Sequence, residues 1–324
     1  MLKLRHSLSI KIQTTEIFSS ELPVGERLTI KRTRFTPTSE TSGKRISIVS
    51  GTHGDELEGQ YVIYLLGAWL RKNPQAIRAT IDLYPGVNAL GIDSITRGFP
   101  VYEVDLNRVF PGDESDFLPG QLVHALTQDI KGSDIAIDIH SSNIFLREIP
   151  QIRINKEFSP TTLPLAKKLN CDFIWIHDAV TVLEATFSHT MNKLGTKTLV
   201  VEMGVGMRLT KEYGEQLLCG ILNLLKSEGI IETNEEFEQR EPFSSEVGEV
   251  FYINSPKSGL FVAALDHCAI IEKGQKIGEI VSPLGGEVLE ELFAPSGGIM
   301  FTLREYPVVY EGSLLARIFA NEKK

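Results

Sequence analysis

A histidine and a glutamate stand three residues apart, His53 and Glu56, soon after the apolar run from Ile46 to Val49. If that run is a strand, both side chains can reach one divalent metal beyond its end. A second apolar segment, from Ile135 to Ile139, leads directly into His140. Two histidines and one glutamate are the ligand set of catalytic zinc in hydrolases, with a fourth position open for water. The sequence therefore predicts one zinc per chain, although each motif alone also fits a hydrogen-bonded structural histidine.

A carboxylate that could act as a general base follows a later apolar run, where Glu202 comes directly after Leu199 to Val201. Amide hydrolysis at neutral pH needs a nucleophile better than bulk water, and zinc lowers the pKa of bound water to about 7. A nearby carboxylate can take the proton and return it to the leaving nitrogen. A solvated or ion-paired glutamate is the structural alternative. An unpaired charge at the end of a buried strand is costly, however, and usually has a purpose.

An arginine with a neutral donor beside it occurs in the segment that runs from Asp105 through Asn107 to Arg108. A guanidinium is a planar fork that meets a carboxylate at two points, so it suits recognition of an amino-acid carboxylate better than lysine does. The structural alternative is a surface ion pair between Arg108 and Asp105 or Asp113.

Asp138 lies two residues before His140, so the two side chains share a face of the predicted strand. It either orients this histidine from behind, as carboxylates often do for zinc ligands, or pairs with a basic neighbour. Both interpretations stay open at this point.

The order and spacing of these segments resemble the succinylglutamate desuccinylase and aspartoacylase family, which is similar in its core to the zinc carboxypeptidases. The resemblance covers about residues 45 to 320. It implies that the zinc ligands are His53, Glu56 and His140, and that the cofactor is zinc.

The same resemblance implies roles for the remaining motif residues. Asn107 and Arg108 match the pair that holds a substrate carboxylate, and Glu202 matches the general base. Arg97 is the candidate for an arginine that polarises the scissile carbonyl, although its distance from Asn107 is longer than in some members. The implied substrate is a small N-acyl molecule.

The balance of charge restricts the class of partner. The chain of 324 residues has a formal net charge of -9, which disfavours nucleic acid because phosphate binding calls for a basic surface. An anionic substrate must then be drawn by a local group of arginines against the overall field, and Arg97 and Arg108 are candidates for it.

Cysteine usage and hydropathy predict a cytoplasmic protein with no membrane partner. An odd number of cysteines, three, argues against a disulfide framework and predicts reduced thiols. The first residues lack the pattern of a signal peptide. The apolar run from Tyr61 to Leu70 is too short to cross a bilayer.

Hydrophobic periodicity predicts an α/β fold with a mixed, largely parallel sheet and helices on both faces. Predicted elements alternate along the chain: strands at Ile46 to Val49, Thr80 to Tyr84, Ile135 to Ile139, Phe173 to Ile176 and Thr198 to Val201, and helices at Glu58 to Arg71, Gln121 to Lys131 and Lys211 to Ser227. Since ligands bind beyond the carboxyl ends of such strands, the motif residues should converge at one edge. The segments from Ser141 to Arg153 and from Thr181 to Met191 are expected to be loops that shape the pocket.

Three segments are predicted: N-terminal strands packed on the core at 1–40, a zinc hydrolase catalytic domain at 41–235, and a small all-β domain at 247–324. The short glycine-rich strands of the last segment resemble the barrel-sandwich fold of biotinyl and lipoyl domains. A Met-Lys-Met turn that would carry biotin is absent, so this segment is expected to shape the cleft or to form a homo-oligomer contact.

The preferred function is zinc-dependent deacylation of a small N-acyl amino acid or related N-acyl amine, cleaving a C–N bond other than a peptide bond. A zinc carboxypeptidase that acts on a peptide is one alternative. A non-catalytic binding protein of the same fold is the other. A decayed enzyme usually loses a ligand or the base, whereas this sequence retains the whole set.

Overall fold

The computed structural model describes residues 10–38, 43–178 and 184–320. Within them, one mixed sheet of 13 strands runs through the molecule, and a separate antiparallel sheet has four strands. The strands are β1 Ile10–Glu21, β2 Arg27–Pro37, β3 Arg45–Ser50, β4 Thr80–Tyr84, β5 Ile135–Ser141, β6 Leu146–Asn155, β7 Phe173–His177, β8 Lys197–Gly204, β9 Phe243–Ser244, β10 Glu249–Asn254, β11 Gly259–Ala263, β12 Ile270–Ile271, β13 Lys276–Ser282, β14 Glu287–Phe293, β15 Gly298–Arg304, β16 Val308–Val309 and β17 Leu314–Ala320.

The helices connect the strands and cover both faces of the large sheet. They are α1 Glu58–Lys72, α2 Ala89–Ser94, α3 Leu118–Ile130, α4 Ser159–Ala166, α5 Phe187–Lys193 and α6 Lys211–Ser227. Apolar residues of α1 and α6 pack in one core, and those of α3 and α5 pack in another. None of these described helices has the length and apolar character needed to span a bilayer. The predicted α/β fold class, with helices on both faces of the sheet, is confirmed.

The centre of the sheet is parallel, in the order β4-β3-β5-β8. Strand β5 shows how the two faces differ. Ile135, Ile137 and Ile139 belong to the core under α1 and α6, whereas Ala136 belongs to the core under α3 and α5. Because side chains alternate along a strand, His140 lies on the α3/α5 face.

Strand β6 corrects an expectation, because the segment from Ser141 to Arg153 was expected to be a loop. Residues Leu146–Asn155 instead form a strand that pairs antiparallel with β8 and β15. The pairing with β8 shifts register between Glu148 and Gln151, on either side of Pro150. Proline cannot donate to a ladder and is tolerated at such bulges. The charged residues and this proline hide the strand's apolar pattern.

The second expected loop, Thr181 to Met191, also differs from the prediction. Its later part begins helix α5 at Phe187. Residues 179–183 lie outside the described residues.

The N-terminal and C-terminal strands both extend the large sheet. The antiparallel pair β1 and β2 continues it beyond β4, and β15, β17 and β10 continue it beyond β6. The remaining C-terminal strands β14, β13, β11 and β16 form the four-stranded sheet. The last part of the chain is thus hydrogen-bonded directly to the strand that borders β8.

Candidate active site

Three buried side chains predicted as metal ligands meet at one end of the parallel strands. His53, Glu56 and His140 are only 3%, 4% and 3% exposed. The Nδ1 of His53 lies 2.8 Å from Oε1 of Glu56, and the Nδ1 of His140 lies 2.9 Å from Oε2. The two Nδ1 atoms are 3.2 Å apart. Each residue thus offers one ligand atom to a common centre.

The opposite nitrogen of each histidine contacts a carboxylate. Nε2 of His53 lies 3.0 Å from Oδ1 of Asp105, and Nε2 of His140 lies 2.9 Å from Oδ2 of Asp138. When such a histidine binds a metal, a carboxylate in this position holds the proton on Nε2 and leaves the lone pair of Nδ1 for the metal. Of the two interpretations of Asp138, the structure shows the contact with the histidine.

This arrangement fits a tetrahedral zinc. Ligand atoms about 2.0–2.1 Å from zinc in a tetrahedron lie about 3.3–3.4 Å from one another. The two Nδ1 atoms are 3.2 Å apart, and each is 2.8–2.9 Å from a different oxygen of Glu56. Burial alone would raise the pKa of Glu56, but His53 and His140 outweigh it and lower this pKa well below its usual range. Glu56 is therefore held as the carboxylate that ligation requires.

His53 lies in the loop after β3, and this loop packs closely against the backbone of α2. A Cβ on Gly54 would lie 2.0 Å from the carbonyl carbon of Gly91 in α2. The Gly54 amide also donates to the carbonyl oxygen of Arg97 at 3.2 Å. The glycine thus allows the ligand loop and the Arg97 segment to meet.

Arg97 lies at the ligand centre. Its Nη1 donates to Oε1 of Glu56 at 2.6 Å, and its Nη2 lies 3.7 Å from Oδ2 of Asp105. Burial alone would raise the pKa of Asp105, but the hydrogen bond with His53, together with the charge of Arg97, lowers it to about 2. Asp105 is therefore a permanent anion that links the histidine to this arginine.

Glu202 faces the same centre because of the sheet register. In the parallel pairing of β5 with β8, Glu202 stands beside His140, and paired residues of neighbouring strands share a face. Nη1 of Arg153 lies 3.2 Å from Oε1 of Glu202. Burial raises the pKa of Glu202, against the opposing charges of Arg153 and His140. A carboxylate with a raised pKa suits proton transfer near neutral pH.

Asn107 and Arg108 line a cavity of about 170 Å³ that also contains His53, His140 and Glu202. Oδ1 of Asn107 accepts a hydrogen bond from the amide of Phe187 at 2.9 Å, which fixes the orientation of the side-chain amide. Arg108 is exposed, and its Nη1 donates to the backbone oxygen of Asn107 at 2.7 Å. Across the described ranges, Arg108 forms no ion pair with Asp105 or Asp113.

The structure adds residues that the motifs did not reveal. Arg153 donates to the buried Glu148 at 2.8 Å as well as contacting Glu202, so it belongs to the site rather than to the surface. His177 and His189 line the cavity, although their surrounding sequences carry no metal-site spacing. Arg147 instead stacks on Tyr213, outside this cavity.

Residues 42–227 match the model of the succinylglutamate desuccinylase/aspartoacylase catalytic domain, more than half of the chain. The chain belongs to this family. The resemblance seen in the motifs is thereby confirmed.

Two mammalian aspartoacylases align with parts of the chain. Aspartoacylase of Mus musculus is 40% identical over 68 residues, which are 21% of this chain and 20% of that protein. Aspartoacylase of Rattus norvegicus is 33% identical over 108 residues, 30% of this chain and 32% of that protein. The chain therefore aligns with about a fifth and about a third of these relatives' lengths.

Solved structures of the family share the fold over nearly the whole chain. A succinylglutamate desuccinylase/aspartoacylase from Rhodobacter sphaeroides is 24% identical, with a TM-score of 0.78 and coverage of 97% of this chain and 96% of that one. An aspartoacylase family protein from Mesorhizobium loti is 19% identical, with a TM-score of 0.76 and coverage of 98% and 97%. At these identities the likeness establishes the fold.

Proposed function

We propose that this family member is a zinc-dependent amidohydrolase that deacylates a small N-acyl amino acid or related N-acyl amine. The observation that carries the proposal is that the three metal-ligand candidates and the candidate base face the same cavity. His53, Glu56 and His140 direct three ligand atoms at one point, and Glu202 faces the same cavity from the neighbouring strand. When bound there, zinc supplies Lewis acidity and a water of low pKa.

Each further residue has a proposed role at a stated atom. The Glu202 carboxylate takes a proton from the attacking water and returns it to the departing nitrogen, so that the broken C–N bond ends as an acid and an amine. The Arg97 guanidinium, already within 2.6 Å of Glu56, faces the scissile carbonyl oxygen and stabilises its developing negative charge. Arg153 holds Glu202 in place through their contact of 3.2 Å.

Asn107 and Arg108 are proposed to hold the carboxylate of the substrate. Both side chains line the cavity, and the absence of an ion pair between Arg108 and Asp105 or Asp113 in the described ranges leaves its fork for an anion. The cavity of about 170 Å³ is smaller than the usual pocket for a drug-sized ligand, about 300–1,000 Å³. This size supports a small N-acyl substrate over a peptide.

The segments 1–40, 41–235 and 247–324 are kept as proposed domains, with the catalytic residues in the second. A cytoplasmic location and homo-oligomer formation likewise stay predictions.

A panel of N-acetyl, N-succinyl and N-formyl amino acids tests the proposal directly. Zinc-loaded protein should hydrolyse at least one member, and chelated protein should not, with release of the free amino acid as the readout. Amino-acid amides that lack the carboxylate should be poor substrates of the same zinc-loaded protein. Failure to hydrolyse any member would overturn the proposed function, and equal turnover of an acid and its amide would overturn the carboxylate role.

A further inference from the structure

The cavity continues well beyond the metal ligands, along strand β8. Glu202, Val200 and Thr198 all line it, as expected for alternate residues on one face of a strand. At about 3.3 Å per residue, Thr198 lies about 13 Å from Glu202. The far part, called here the distal chamber, is lined by Phe158, Thr162, His177, His189, Asn192 and Thr198.

The distal chamber lacks a positive charge among the described residues. The arginines that line the cavity as a whole are Arg97, Arg108 and Arg153, and none of them is among the residues of the distal chamber. Arg97 is beside Glu56 at the metal end. The charge of Arg153 reaches His177, but Arg153 is already paired with two carboxylates, those of Glu148 and Glu202. The undescribed residues 179–183 are Ala, Val, Thr, Val and Leu, so they bring no basic side chain either.

Most polar groups of the distal chamber are already bonded within the protein. Thr162 donates to the backbone oxygen of Phe158 at 2.9 Å. Asn192 donates to the backbone oxygens of Ser188 and Thr198, and its Oδ1 accepts from the amide of Thr198. These contacts leave little capacity to solvate an incoming charge.

His189 differs from these groups. Its Nδ1 is buried and lacks a hydrogen-bond partner within the part of the chain that the structure describes, while its ring packs edge-on against Phe158 at 5.5 Å between centroids. Burial, together with the charge of Arg153, lowers the pKa of His177, which is therefore neutral at pH 7. The distal chamber thus offers apolar and aromatic contact with one unused imidazole nitrogen.

We infer that the distal chamber binds the side chain of the amine half of the substrate and selects an uncharged side chain over a carboxylate. The inference rests on the proposed function, in which Arg108 holds the α-carboxylate nearer to the metal. From that anchor, the amino-acid side chain extends along β8 into the distal chamber. A second carboxylate there would lose its water without gaining a cation, which is strongly unfavourable.

An isosteric substrate pair tests the inference, because N-acetylglutamine and N-acetylglutamate differ mainly in side-chain charge. With zinc-loaded protein, kcat/KM should favour N-acetylglutamine by at least about tenfold, since the acid leaves a buried charge unpaired. Equal values, or a preference for N-acetylglutamate, would overturn the inference.

Substitution of His189 gives a second, independent readout. His189→Arg places a cation in the distal chamber and should raise the glutamate-to-glutamine ratio of kcat/KM by at least about tenfold. His189→Gln keeps the chamber neutral and serves as the matched control, with the native order of preference retained. A ratio that is the same in the arginine variant and the glutamine variant would contradict the assignment of the chamber.

Binding measurements separate this inference from the proposed function. Calorimetry with a Glu202→Gln protein should show tighter binding of N-acetylglutamine than of N-acetylglutamate, whether or not the native protein turns either over. Selective binding by the Glu202→Gln protein, together with failure of the native protein to hydrolyse any N-acyl amino acid of the panel, would refute the deacylase proposal and support the distal chamber. Hydrolysis of both compounds with no selectivity would support the deacylase and refute the distal chamber.

Discussion

At the residue scale, the two histidines of the proposed metal site each have a carboxylate beside both ring nitrogens. His140 has Nδ1 beside Glu56 and Nε2 beside Asp138, and His53 has the equivalent pair of contacts with Glu56 and Asp105. Since such outer carboxylates fix the ring and raise its basicity, the proposed ligands are oriented before any metal arrives.

His140→Ala should remove zinc from the protein, because two remaining ligands cannot hold a catalytic metal tightly. Asp138→Asn should weaken zinc binding less severely, by about 10–100-fold in affinity, the usual effect of losing an outer carboxylate. Elemental analysis and competition with a chelator measure both effects. His124→Ala, on α3, is the control and should retain full zinc; undiminished zinc in His140→Ala would refute the ligand assignment.

Arg108→Lys should lose most of the preference for a free acid over its amide. An ammonium cannot reproduce the two-point contact of the guanidinium fork. The loss in kcat/KM for the acid should correspond to about 1.5–3 kcal/mol, the usual contribution of a hydrogen bond to a charged group. Steady-state kinetics with matched acid and amide substrates measure this preference. An unchanged preference for the acid in the lysine variant would show that Arg108 has a structural role.

At the element scale, the ends of three parallel strands bring the site together. Glu202 meets His140 because β8 pairs with β5 in the observed register, and His53 follows β3 on the other side of β5. The close approach of Gly54 to Gly91 then closes the ligand loop against α2.

Gly54→Ala should destabilise the protein by about 2 kcal/mol or more, because overpacking against rigid backbone forces the loop to move. Zinc affinity should fall with it. Gly67→Ala in α1, where the nearest atom to a new Cβ is 3.7 Å away, is the matched control and should stabilise by about 0.5–1 kcal/mol. Urea unfolding measures both variants, and a Gly54→Ala protein as stable as the native one would contradict the packing argument.

Sequence patterns were informative for elements whose apolar periodicity is uninterrupted. The predicted helix at Lys211 to Ser227 and the strand at Thr80 to Tyr84 have the bounds that the structure shows. Strand β6 was missed because Pro150 and its charged neighbours obscure the pattern, and only pairing with β8 and β15 makes it a strand.

The candidate site was predictable to the extent that its residues follow strand ends. The contacts of Asp105 and His189 were not predictable, because each is made with a residue distant in the chain, His53 for Asp105 and Phe158 for His189. Asp105 reaches His53 across 52 residues of chain, and His189 enters the cavity from a helix that begins two residues earlier. Neither contact leaves a local spacing in the sequence.

At the scale of the whole molecule, a chain of alternating charges connects the C-terminal segment with the proposed base. Arg317 on β17 donates to Glu148 at 2.6 Å, Glu148 accepts from Arg153 at 2.8 Å, and Arg153 contacts Glu202. Glu148 is 1% exposed, so both arginines pair with a buried carboxylate. The C-terminal strands thus support the catalytic face as well as extending the sheet.

Arg317→Met should destabilise the protein by about 3 kcal/mol, since removal of one partner leaves the charge of Glu148 poorly compensated. It should also reduce kcat by loosening Arg153. Arg240→Met removes two ion pairs, with Asp172 and Glu238, whose arginine is 44% exposed, and should lower the free energy of unfolding by only about 1 kcal/mol or less. Urea unfolding compares the stability of the two variants. An equal loss of stability in both would show that Arg317 forms only an ordinary surface ion pair.

The most direct test of the central claim measures zinc content and kcat together in a Glu202→Gln protein, on whichever N-acyl amino acid the native enzyme hydrolyses. Glu232→Gln, at a glutamate whose side chain is 76% exposed, serves as the control and should match the native protein in both quantities. For Glu202→Gln we predict one zinc per chain, an intact fold, and a kcat lower by about two orders of magnitude or more, the usual size of a lost general acid–base contribution. A zinc-replete Glu202→Gln protein with near-native kcat would contradict the account.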